Sequence, residues 1–473
     1  LHEVKVTEKR VFHIAGFIVV ALGCGLFTNQ IILSDFMEEH QINIRMFRPM
    51  ESYQKYGGVL TFARSVGYAV VKKPEGYTTA KVDQIIQEYE KKSANEQQST
   101  AKQYPNIITV VNETFADIKV LGDFKTNEDY MPYFHSLKKN CVTGYTYASI
   151  VGGQTANTEF ELLTGNTLGF LSAGTTAFQL YIHGQMPSLV SNLKAEGYSG
   201  NKAMHPFNPY NYNRPAVYKD FGFTDFIDKF DFPKNVKRVR EYISDEANVD
   251  RIISEYEKNR KKTDQPFYMY NMTIQNHSPY DKDAANFKQP IKIESSKYDA
   301  EANRYLNLIK YSDDSLKQLT SYFEKCKEPT IILFLGDHQP RLTDEFMNKI
   351  TNGQYQTWSS EQMMKRYQVP FVIWANYDIK EQHIEKTSMN YIQSILTQTA
   401  GVKMTGYQRF LNEVRKEVPT ITSQGYWGKN GKFYQINDKG SPYYGIIQKY
   451  RMIQYNMMFD KKNRRDPFFE VSK

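Results

Sequence analysis

The chain has 473 residues with 60 Lys or Arg and 52 Asp or Glu, which gives a formal net charge of +8. This length is ample for one large catalytic domain with appendages, and the modest, dispersed charge excludes the dense basic block that would predict nucleic-acid binding. The three cysteines, Cys24, Cys141 and Cys326, form no CxxC motif and suggest no disulfide framework. This does not decide the cellular compartment, because an extracellular domain can lack disulfides.

A long apolar segment lies near the N-terminus. Val11 to Ser34 contain no Asp, Glu, Lys or Arg, and a helix needs about 20 apolar residues to cross a bilayer. We interpret residues 11–34 as a transmembrane helix rather than a signal peptide or a buried core helix, since no small-residue cleavage site follows closely. Lys and Arg in residues 1–10 predict a cytoplasmic flank, so the positive-inside rule places the remainder outside the cytoplasm. Further spans upstream of Leu1 are an open expectation.

The next segment, residues 35–103, is predicted to be a juxtamembrane helical linker. Residues 56–71 are apolar and could pack against the bilayer or against the main domain. Thr78 is predicted to cap a helix whose apolar face includes Val82. Residues 93–103 are polar and loop-like.

Four apolar runs predict strands that are buried on both faces of a sheet. They are Ile107–Val111, Phe267–Thr273, Ile331–Leu335 and Val369–Trp374. Helix-period stretches separate them, which predicts an α/β fold with a mainly parallel sheet flanked by helices. The catalytic domain is placed at residues 104–399. Aromatic, turn-rich pieces in residues 400–473 predict a small antiparallel C-terminal subdomain with a helix near residues 443–459.

Polar side chains closely follow three of these strands. They are Glu113, His277, Asp337 and His338. Because ligands bind outside the carboxyl ends of parallel strands, we expect these side chains to meet at one edge of the sheet. For any one of them a helix cap or a loop charge is the simpler interpretation, but their shared polarity favours a common site.

A hydroxyl group has a different setting. Gly152 and Gly153 permit unusual backbone angles, and residues 156–163 are predicted to be helical. Thr155 therefore lies near a helix N-terminus, which attracts anions. It could be an ordinary N-cap or a nucleophile, and composition does not decide between them.

Taken together and in order, these segments resemble the lipoteichoic acid synthases. The matching pieces are Asn112-Glu113-Thr114-Phe115, Gly153-Gln154-Thr155-Ala156-Asn157-Thr158-Glu159-Phe160, Asn276-His277-Ser278-Pro279-Tyr280 and Gly336-Asp337-His338. These synthases are membrane-anchored phosphoglycerol transferases of Gram-positive bacteria. The resemblance covers residues 104–399 well and implies a fold like that of sulfatases and alkaline phosphatase.

The resemblance implies a Mn²⁺ site made by Glu113, Thr155, Asp337 and His338, with Thr155 as the nucleophile. Two carboxylates, one imidazole and one hydroxyl suit Mn²⁺ or Mg²⁺, with Zn²⁺ as an alternative. Coordination to a divalent ion would lower the pKa of the Thr155 hydroxyl and orient it.

The resemblance also implies substrate contacts. His277 matches the substrate-side histidine of these enzymes and could act as an acid, a base or a phosphate partner. His205 and Arg214 keep the spacing of glycerol-phosphate contacts. Tyr212 stands where the lipoteichoic acid synthases have Trp, a departure that bears on the acceptor and not on the metal chemistry.

The implied reaction transfers glycerol phosphate from phosphatidylglycerol, through a phospho-threonine intermediate, to an acceptor outside the cell membrane. The acceptor would be a glycolipid carrying a lipoteichoic acid-type polymer or, alternatively, a cell-wall or capsular polysaccharide. A sulfatase would need Cys or Ser in a C/S-x-P-x-R setting, whereas Val142 follows Cys141 and the nucleophile position holds Thr155. An inactive membrane-anchored receptor would be expected to lack a metal ligand, and all four are present.

Overall fold

The computed structural model describes residues 2–33, 49–92, 103–294, 299–353 and 355–471. Within the predicted linker, residues 35–48 and 93–102 therefore lie outside the described residues, as does residue 34 of the predicted span. The chain divides into two compact units. The first is Leu1–Lys73 with Leu171–Thr176, and the second is Pro74–Phe170 with Ala177–Lys473.

Helices make up the described part of the first unit. Helix α1, His2–Phe27, continues into a π-helical segment, Thr28–Leu33. Within it Arg10–Gln30 form 21 residues that are long and apolar enough to cross a membrane, with none of that stretch buried. Two shorter helices follow, α2 at Pro49–Tyr56 and α3 at Gly58–Ala69. The predicted apolar N-terminal segment is thus helical, as expected.

The second unit is an α/β structure. Its strands are β1 Asn106–Asn112, β2 Cys141–Tyr147, β3 Ser199–His205, β4 Asp225–Asp228, β5 Arg238–Val239, β6 Tyr242–Ile243, β7 Phe267–Met272, β8 Thr330–Gly336, β9 Gln368–Ala375, β10 Gln382–Ser388, β11 Thr420–Thr422, β12 Gly425–Trp427 and β13 Phe433–Tyr434. Its described helices are α4 Thr79–Lys92, α5 Pro132–Ser136, α6 Thr155–Thr164, α7 Ala177–Leu180, α8 Leu189–Ala195, α9 Arg214–Phe221, α10 Asp245–Arg260, α11 Ala300–Phe323, α12 Asp344–Ile350, α13 Ser360–Met363, α14 Met389–Thr399, α15 Gly406–Glu417, α16 Tyr444–Met458 and α17 Asp466–Phe469.

Eight strands form the main sheet, in the order β10-β2-β9-β8-β1-β7-β3-β4. Strand β9 runs antiparallel to both of its neighbours, β2 and β8, and the other neighbouring pairs are parallel. The four strands predicted from apolar runs correspond to β1, β7, β8 and β9, which confirms a mainly parallel sheet flanked by helices. Every residue of β1, β7 and β8 is buried, which explains why these strands lack apolar-polar alternation.

The register of the central strands brings their carboxyl ends level with one another. Asn112 pairs with Gly336 across β1 and β8, and Val111 pairs with Met272 across β1 and β7. The residues that follow these pairs therefore leave the sheet at the same edge. Strand β9 runs in the opposite direction, so its carboxyl end contributes nothing there.

The C-terminal part contains the small antiparallel sheet expected from the sequence, β11-β12-β13. Helix α16, Tyr444–Met458, coincides with the helix predicted near residues 443–459. These elements belong to the same compact unit as the main sheet.

Gly336, the last residue of β8, offers a test of how closely this sheet edge is packed. A Cβ atom at this position would lie 1.8 Å from the carbonyl oxygen of Phe115, whereas a Cβ at Gly353 would meet no atom within 4 Å. We expect Gly336→Ala to destabilise the protein by at least about 1–3 kcal/mol, the usual cost of overpacking, and Gly353→Ala to have little effect. Urea unfolding of the purified chain measures both, and equal midpoints for the two variants would contradict the described packing.

Candidate active site

Three side chains predicted as metal ligands meet at the carboxyl edge of the sheet. Glu113 follows β1, and Asp337 and His338 follow β8. One ligand atom from each lies within 4.8 Å of the other two, and all three residues are buried. The geometric convergence expected from the strand ends is therefore present.

Backbone groups orient the Asp337 carboxylate. Its Oδ1 atom accepts hydrogen bonds from the backbone N–H of Thr114 at 2.7 Å and of His338 at 2.8 Å. Its Oδ2 atom is buried without a hydrogen-bond partner. Because buried polar atoms are almost always satisfied, an unpaired carboxylate oxygen at this position fits a ligand for a cation.

The imidazole of His338 has a matching orientation. Its Nδ1 lies 3.0 Å from the carbonyl oxygen of Gln339, so Nδ1 carries the proton and Nε2 presents its lone pair. Nε2 is buried, lacks a hydrogen-bond partner, and lies 3.2 Å from Asp337 Oδ2 and 4.0 Å from Glu113 Oε1. A proton between Nε2 and a carboxylate would satisfy only one of these two contacts, whereas a metal ion could bind all three ligand atoms, Nε2, Asp337 Oδ2 and Glu113 Oε1. The donor set of two carboxylates and one imidazole fits Mn²⁺, Mg²⁺ or Zn²⁺.

The electrostatics of this cluster favour a cation. Burial, and next the negative charge of Asp337, raise the pKa of Glu113 well above its usual value. A divalent ion would offset both effects, because it replaces lost solvation and neutralises the paired carboxylates.

Thr155 lies at the start of a helix that is hydrogen-bonded to the segment holding Asp337 and His338. Thr155 is the first residue of α6, and Gln154 occupies the preceding N-cap position with φ 66° and no side-chain capping bond. The backbone N–H of Gly152 donates to the Gln339 carbonyl at 3.0 Å, and Thr158 Oγ1 donates to the Asp337 carbonyl at 2.8 Å. The start of α6 is thereby tied on both sides of Thr155 to the segment that carries two of the proposed ligands. Since Thr155 lies within the helix, it is not the N-cap, which removes one of the two interpretations left open by the sequence.

The predicted substrate contacts lie around the same sheet edge. His205 ends β3, and its Nδ1 lies 3.0 Å from the Met272 carbonyl oxygen. Burial, assisted by the charge of Arg214, lowers the pKa of His205 well below its usual value, so the ring is neutral. The Tyr212 ring centre lies 5.0 Å from the Arg214 guanidinium carbon, and Tyr212 has a left-handed backbone with φ 59°.

Arg214 has a partner that sequence reasoning missed. Arg214 Nε and Nη2 donate to Glu159 Oε1 at 3.1 and 2.8 Å, and both side chains are buried, with exposures of 2% and 0%. The other Glu159 oxygen accepts the hydroxyls of Tyr218 and Tyr270. Although burial opposes it, the Glu159 charge raises the pKa of Arg214. One edge of Arg214 is therefore used inside the protein, so a phosphate contact would rely on its remaining N–H groups.

His277 borders the cluster from the loop after β7. It is partly exposed, its Nδ1 lies 2.7 Å from the Ser278 carbonyl oxygen, and its ring stacks on Phe207 at a centroid distance of 6.2 Å. Burial lowers its pKa, with a further contribution from the charge of His338. His277 is thus a largely neutral imidazole at neutral pH, facing the edge that carries the proposed ligands.

A buried polar network connects the segment that leads to Glu113 with the segment that leads to His277, and no sequence pattern predicted it. Asn112 Nδ2 donates to Asp245 Oδ2 at 2.7 Å, and Ser312 Oγ donates to the same oxygen at 2.6 Å. Asn276 Nδ2 donates to Asn112 Oδ1 at 3.1 Å. Because Asn112 precedes Glu113 and Asn276 precedes His277, this network fixes the two segments relative to each other.

Metal binding can be tested through stability. A ligand present at 100 times its Kd stabilises the folded state by about 2.7 kcal/mol. We expect MnCl₂ to raise the unfolding temperature of the wild-type protein and EDTA to reverse the rise, whereas Asp337→Asn should abolish it. Asp264→Asn, at a position whose side chain is 98% exposed, is the control. A full Mn²⁺-induced shift in the Asp337 variant would contradict the assignment.

The Glu159–Arg214 pair gives a second prediction. Glu159→Gln preserves shape but leaves the Arg214 charge buried without its counter-ion, so we expect destabilisation of about 3–5 kcal/mol in denaturant unfolding. Glu417→Gln provides the matched control, since Glu417 pairs with Lys429 at the surface, where side-chain exposures are 41% and 57%. That variant should lose no more than about 1 kcal/mol. Similar losses in the two variants would show that the buried pair is not structurally important.

Comparisons with known proteins agree with this architecture. The chain is 30% identical over 433 residues to a putative cyclic beta-1,2-glucan modification protein of Rhizobium meliloti, covering 90% of this chain and 65% of that protein. It is 27% identical over 237 residues to the lipoteichoic acid synthase-like protein YvgJ of Bacillus subtilis, covering 49% of this chain and 36% of that protein. The chain thus spans less than two thirds of the length of either relative.

Among solved structures, the chain resembles the Streptococcus pyogenes phosphoglycerol transferase GacH in complex with sn-glycerol-1-phosphate. The TM-score is 0.68 at 20% identity, covering 85% of this chain and 100% of that chain, which establishes a shared fold. The similarity to lipoteichoic acid synthases expected from the sequence is confirmed. The sulfatase family model matches residues 105–402, most of the second unit, and the chain belongs to the sulfatase family.

Proposed function

We propose that this protein transfers glycerol phosphate from phosphatidylglycerol to a polysaccharide acceptor. The observation that carries the proposal is the position of Thr155 at the start of α6. It lies between Gly152 and Thr158, which donate hydrogen bonds to the segment that holds Asp337 and His338. A hydroxyl at a helix N-terminus, beside a cluster that fits a divalent cation, is suited to attack a phosphodiester.

The relatives support the phosphoglyceryl group and the acceptor class. The structural neighbour is named as a phosphoglycerol transferase and holds sn-glycerol-1-phosphate. The relative that matches 90% of this chain is named as a glucan modification protein, whereas the lipoteichoic acid synthase-like relative matches 49%. We therefore favour the polysaccharide alternative over the glycolipid acceptor of a lipoteichoic acid-type polymer.

In the proposed first step the Thr155 oxygen loses its proton and forms a bond to phosphorus. The bond from phosphorus to the diacylglycerol oxygen breaks, and that oxygen takes up a proton, so diacylglycerol leaves as an alcohol. Backbone N–H groups at the start of α6 donate to the phosphoryl oxygens, and Arg214 offsets their negative charge. A bound Mn²⁺, held by Glu113, Asp337, His338 and Thr155, would supply Lewis acidity and favour the alkoxide form of the nucleophile.

In the second step an acceptor hydroxyl displaces Thr155 from the glycerophosphoryl group. His277, a largely neutral imidazole, takes the proton of the attacking hydroxyl. The Thr155 oxygen leaves and regains a proton, so the enzyme returns to its starting state.

The apolar helix Arg10–Gln30 fits a lipid donor. A membrane anchor would hold the catalytic domain at the bilayer surface, where phosphatidylglycerol resides. We place that domain on the outer side, in accordance with the cationic residues before the helix.

A second candidate is the polymerisation of glycerol phosphate on a glycolipid. The names of the lipoteichoic acid synthase-like relatives favour it. Sulfate-ester hydrolysis is a weaker candidate despite the family name, because the nucleophile position holds Thr155 rather than a Cys or Ser that could become formylglycine.

The transfer can be tested directly. Full-length protein with MnCl₂, vesicles of radiolabelled phosphatidylglycerol and cyclic β-1,2-glucan should produce diacylglycerol and an anionic, labelled glucan. We expect Thr155→Ala to lose activity by about 10⁴-fold or more, since removal of a nucleophile abolishes covalent catalysis. Thr155→Ser, which keeps the hydroxyl, should retain partial activity. Mass spectrometry of a quenched reaction without glucan should detect glycerophosphate on Thr155.

Each outcome separates one element of the proposal. Normal diacylglycerol release by Thr155→Ala would overturn the nucleophile. Label that enters a glycolipid but not the glucan would favour the second candidate. The absence of diacylglycerol release from the wild-type protein would refute phosphoglyceryl transfer from this donor.

A further inference from the structure

Two aromatic side chains stand out on the surface of the second unit. Across residues 74–92, 103–170, 177–294, 299–353 and 355–471, Tyr210 and Phe230 are the only large hydrophobic side chains that are exposed, at 79% and 75%. Soluble surfaces carry scattered apolar residues, but here both of them fall in one region, and the rest of the described surface of the second unit has no exposed large hydrophobic side chain.

That region borders the candidate active site. Lys229 Nζ lies 5.0 Å from the centre of the Phe230 ring and 6.0 Å from the centre of the Phe207 ring. The Phe207 ring lies 6.2 Å from His277 and 6.1 Å from His205, measured between ring centroids. Tyr210 lies on the same loop, three residues after Phe207. A continuous run of contacts therefore connects the exposed Phe230 ring to the two site histidines.

Both exposed rings are carried by internally braced turns. The backbone N–H of Tyr210 donates to Asn208 Oδ1 at 3.2 Å, and its carbonyl accepts from Asn213 at 3.2 Å. The backbone N–H of Phe230 donates to Asp228 Oδ1 at 2.7 Å, while the Asp228 N–H donates to Asp231 Oδ2 at 2.9 Å. Because these hydrogen bonds order the backbone that carries the two rings, the turns lose little backbone entropy when a ligand arrives, which is typical of binding anchors.

We propose that Tyr210 and Phe230 form an acceptor rim, which binds sugar rings of the polysaccharide next to the hydroxyl that receives the glycerophosphoryl group. This proposal rests on the proposed function and names its acceptor site. The C–H faces of pyranose rings pack on flat aromatic surfaces, and neighbouring carboxylates and amides accept and donate hydrogen bonds to the sugar hydroxyls.

The polar groups beside the rim suit a sugar. Phe230 lies between Lys229 and Asp231, with Asp228 one residue further back. The hydroxyls of a neutral glucan would donate hydrogen bonds to these carboxylates, and the Lys229 ammonium would donate to sugar oxygens.

Binding and catalysis can be measured separately. In the Thr155→Ala background, which prevents turnover, we expect isothermal titration with cyclic β-1,2-glucan to show binding that the double change Tyr210→Ala and Phe230→Ala weakens about tenfold or more. Tyr210→Phe and Phe230→Tyr keep an aromatic face and should restore affinity to within about twofold. Because both side chains are exposed, unchanged unfolding midpoints should accompany the alanine variants.

The acceptor rim and the proposed function fail in different ways. Glucan affinity that is unaffected by the double alanine variant would overturn the rim, whatever the protein does with phosphatidylglycerol. If the glucan binds through the rim but the wild-type protein, with Thr155 intact, releases no diacylglycerol, the transfer is refuted and the rim is still supported. If the alanine variants instead impair cleavage of phosphatidylglycerol in vesicles but not in detergent micelles, the rim contacts the membrane and the sugar assignment is wrong.

Discussion

The concentration of negative charge at the carboxyl edge of the sheet is the constraint around which this protein is organised. Glu113 and Asp337 are both buried, and each buried carboxylate costs several kcal/mol of lost solvation unless it is compensated. Two backbone N–H groups compensate one oxygen of Asp337, and the charge of Arg214 favours ionisation of Glu113. Two buried atoms of the cluster, Asp337 Oδ2 and His338 Nε2, still lack a hydrogen-bond partner. These buried, unpaired atoms fit a divalent cation, and the proposed chemistry depends on where that cation would bind.

Helix α6 connects this charged centre to the groups that would hold a phosphate. Thr155 lies at its first position, Thr158 bonds the Asp337 carbonyl, and Glu159 holds Arg214. These three residues lie within one turn, so they share one side of the helix. Movement of α6 would displace the hydroxyl and the guanidinium together. The buried pair between Glu159 and Arg214 thus fixes the Arg214 charge relative to Thr155, the proposed nucleophile, beyond any contribution to stability.

The parts of the fold that could be predicted from the sequence are those whose burial leaves an unmistakable pattern. Strands β1, β7 and β8 are buried on both faces, and their apolar runs end where polar site residues begin. The direction of β9 could not be predicted, because an apolar run is the same in either orientation. Strand β2 was missed because its Thr and Tyr residues mix buried and half-buried positions.

Some residues of the candidate site could be predicted from local sequence patterns, and others could not. Strand ends indicated Glu113, Asp337 and His338, and a glycine pair indicated Thr155. His205, Tyr212 and Arg214 became visible only through a family resemblance, since each is an ordinary loop residue by pattern. Glu159 was hidden because a glutamate within a helix is commonplace, and only three-dimensional packing reveals that it is fully buried.

The proposed metal ligands and the proposed acceptor contacts lie on different parts of the fold, which bears on how such an enzyme could change its acceptor. The proposed metal ligands leave the central strands β1 and β8, whose packing tolerates little change. The segment from β3 to the turn after β4 instead carries His205, Phe207, Tyr210, Tyr212, Arg214 and Phe230. His205 and Arg214 of this segment are buried, whereas Tyr210 and Phe230 are exposed to solvent. Substitutions at the exposed positions would alter which polymer is held without disturbing the charged centre, because loops tolerate changes that central strands do not. Tyr212, which stands where the lipoteichoic acid synthases have Trp, lies in this same segment, so under the proposed function the difference would affect the acceptor and leave the metal ligands unchanged.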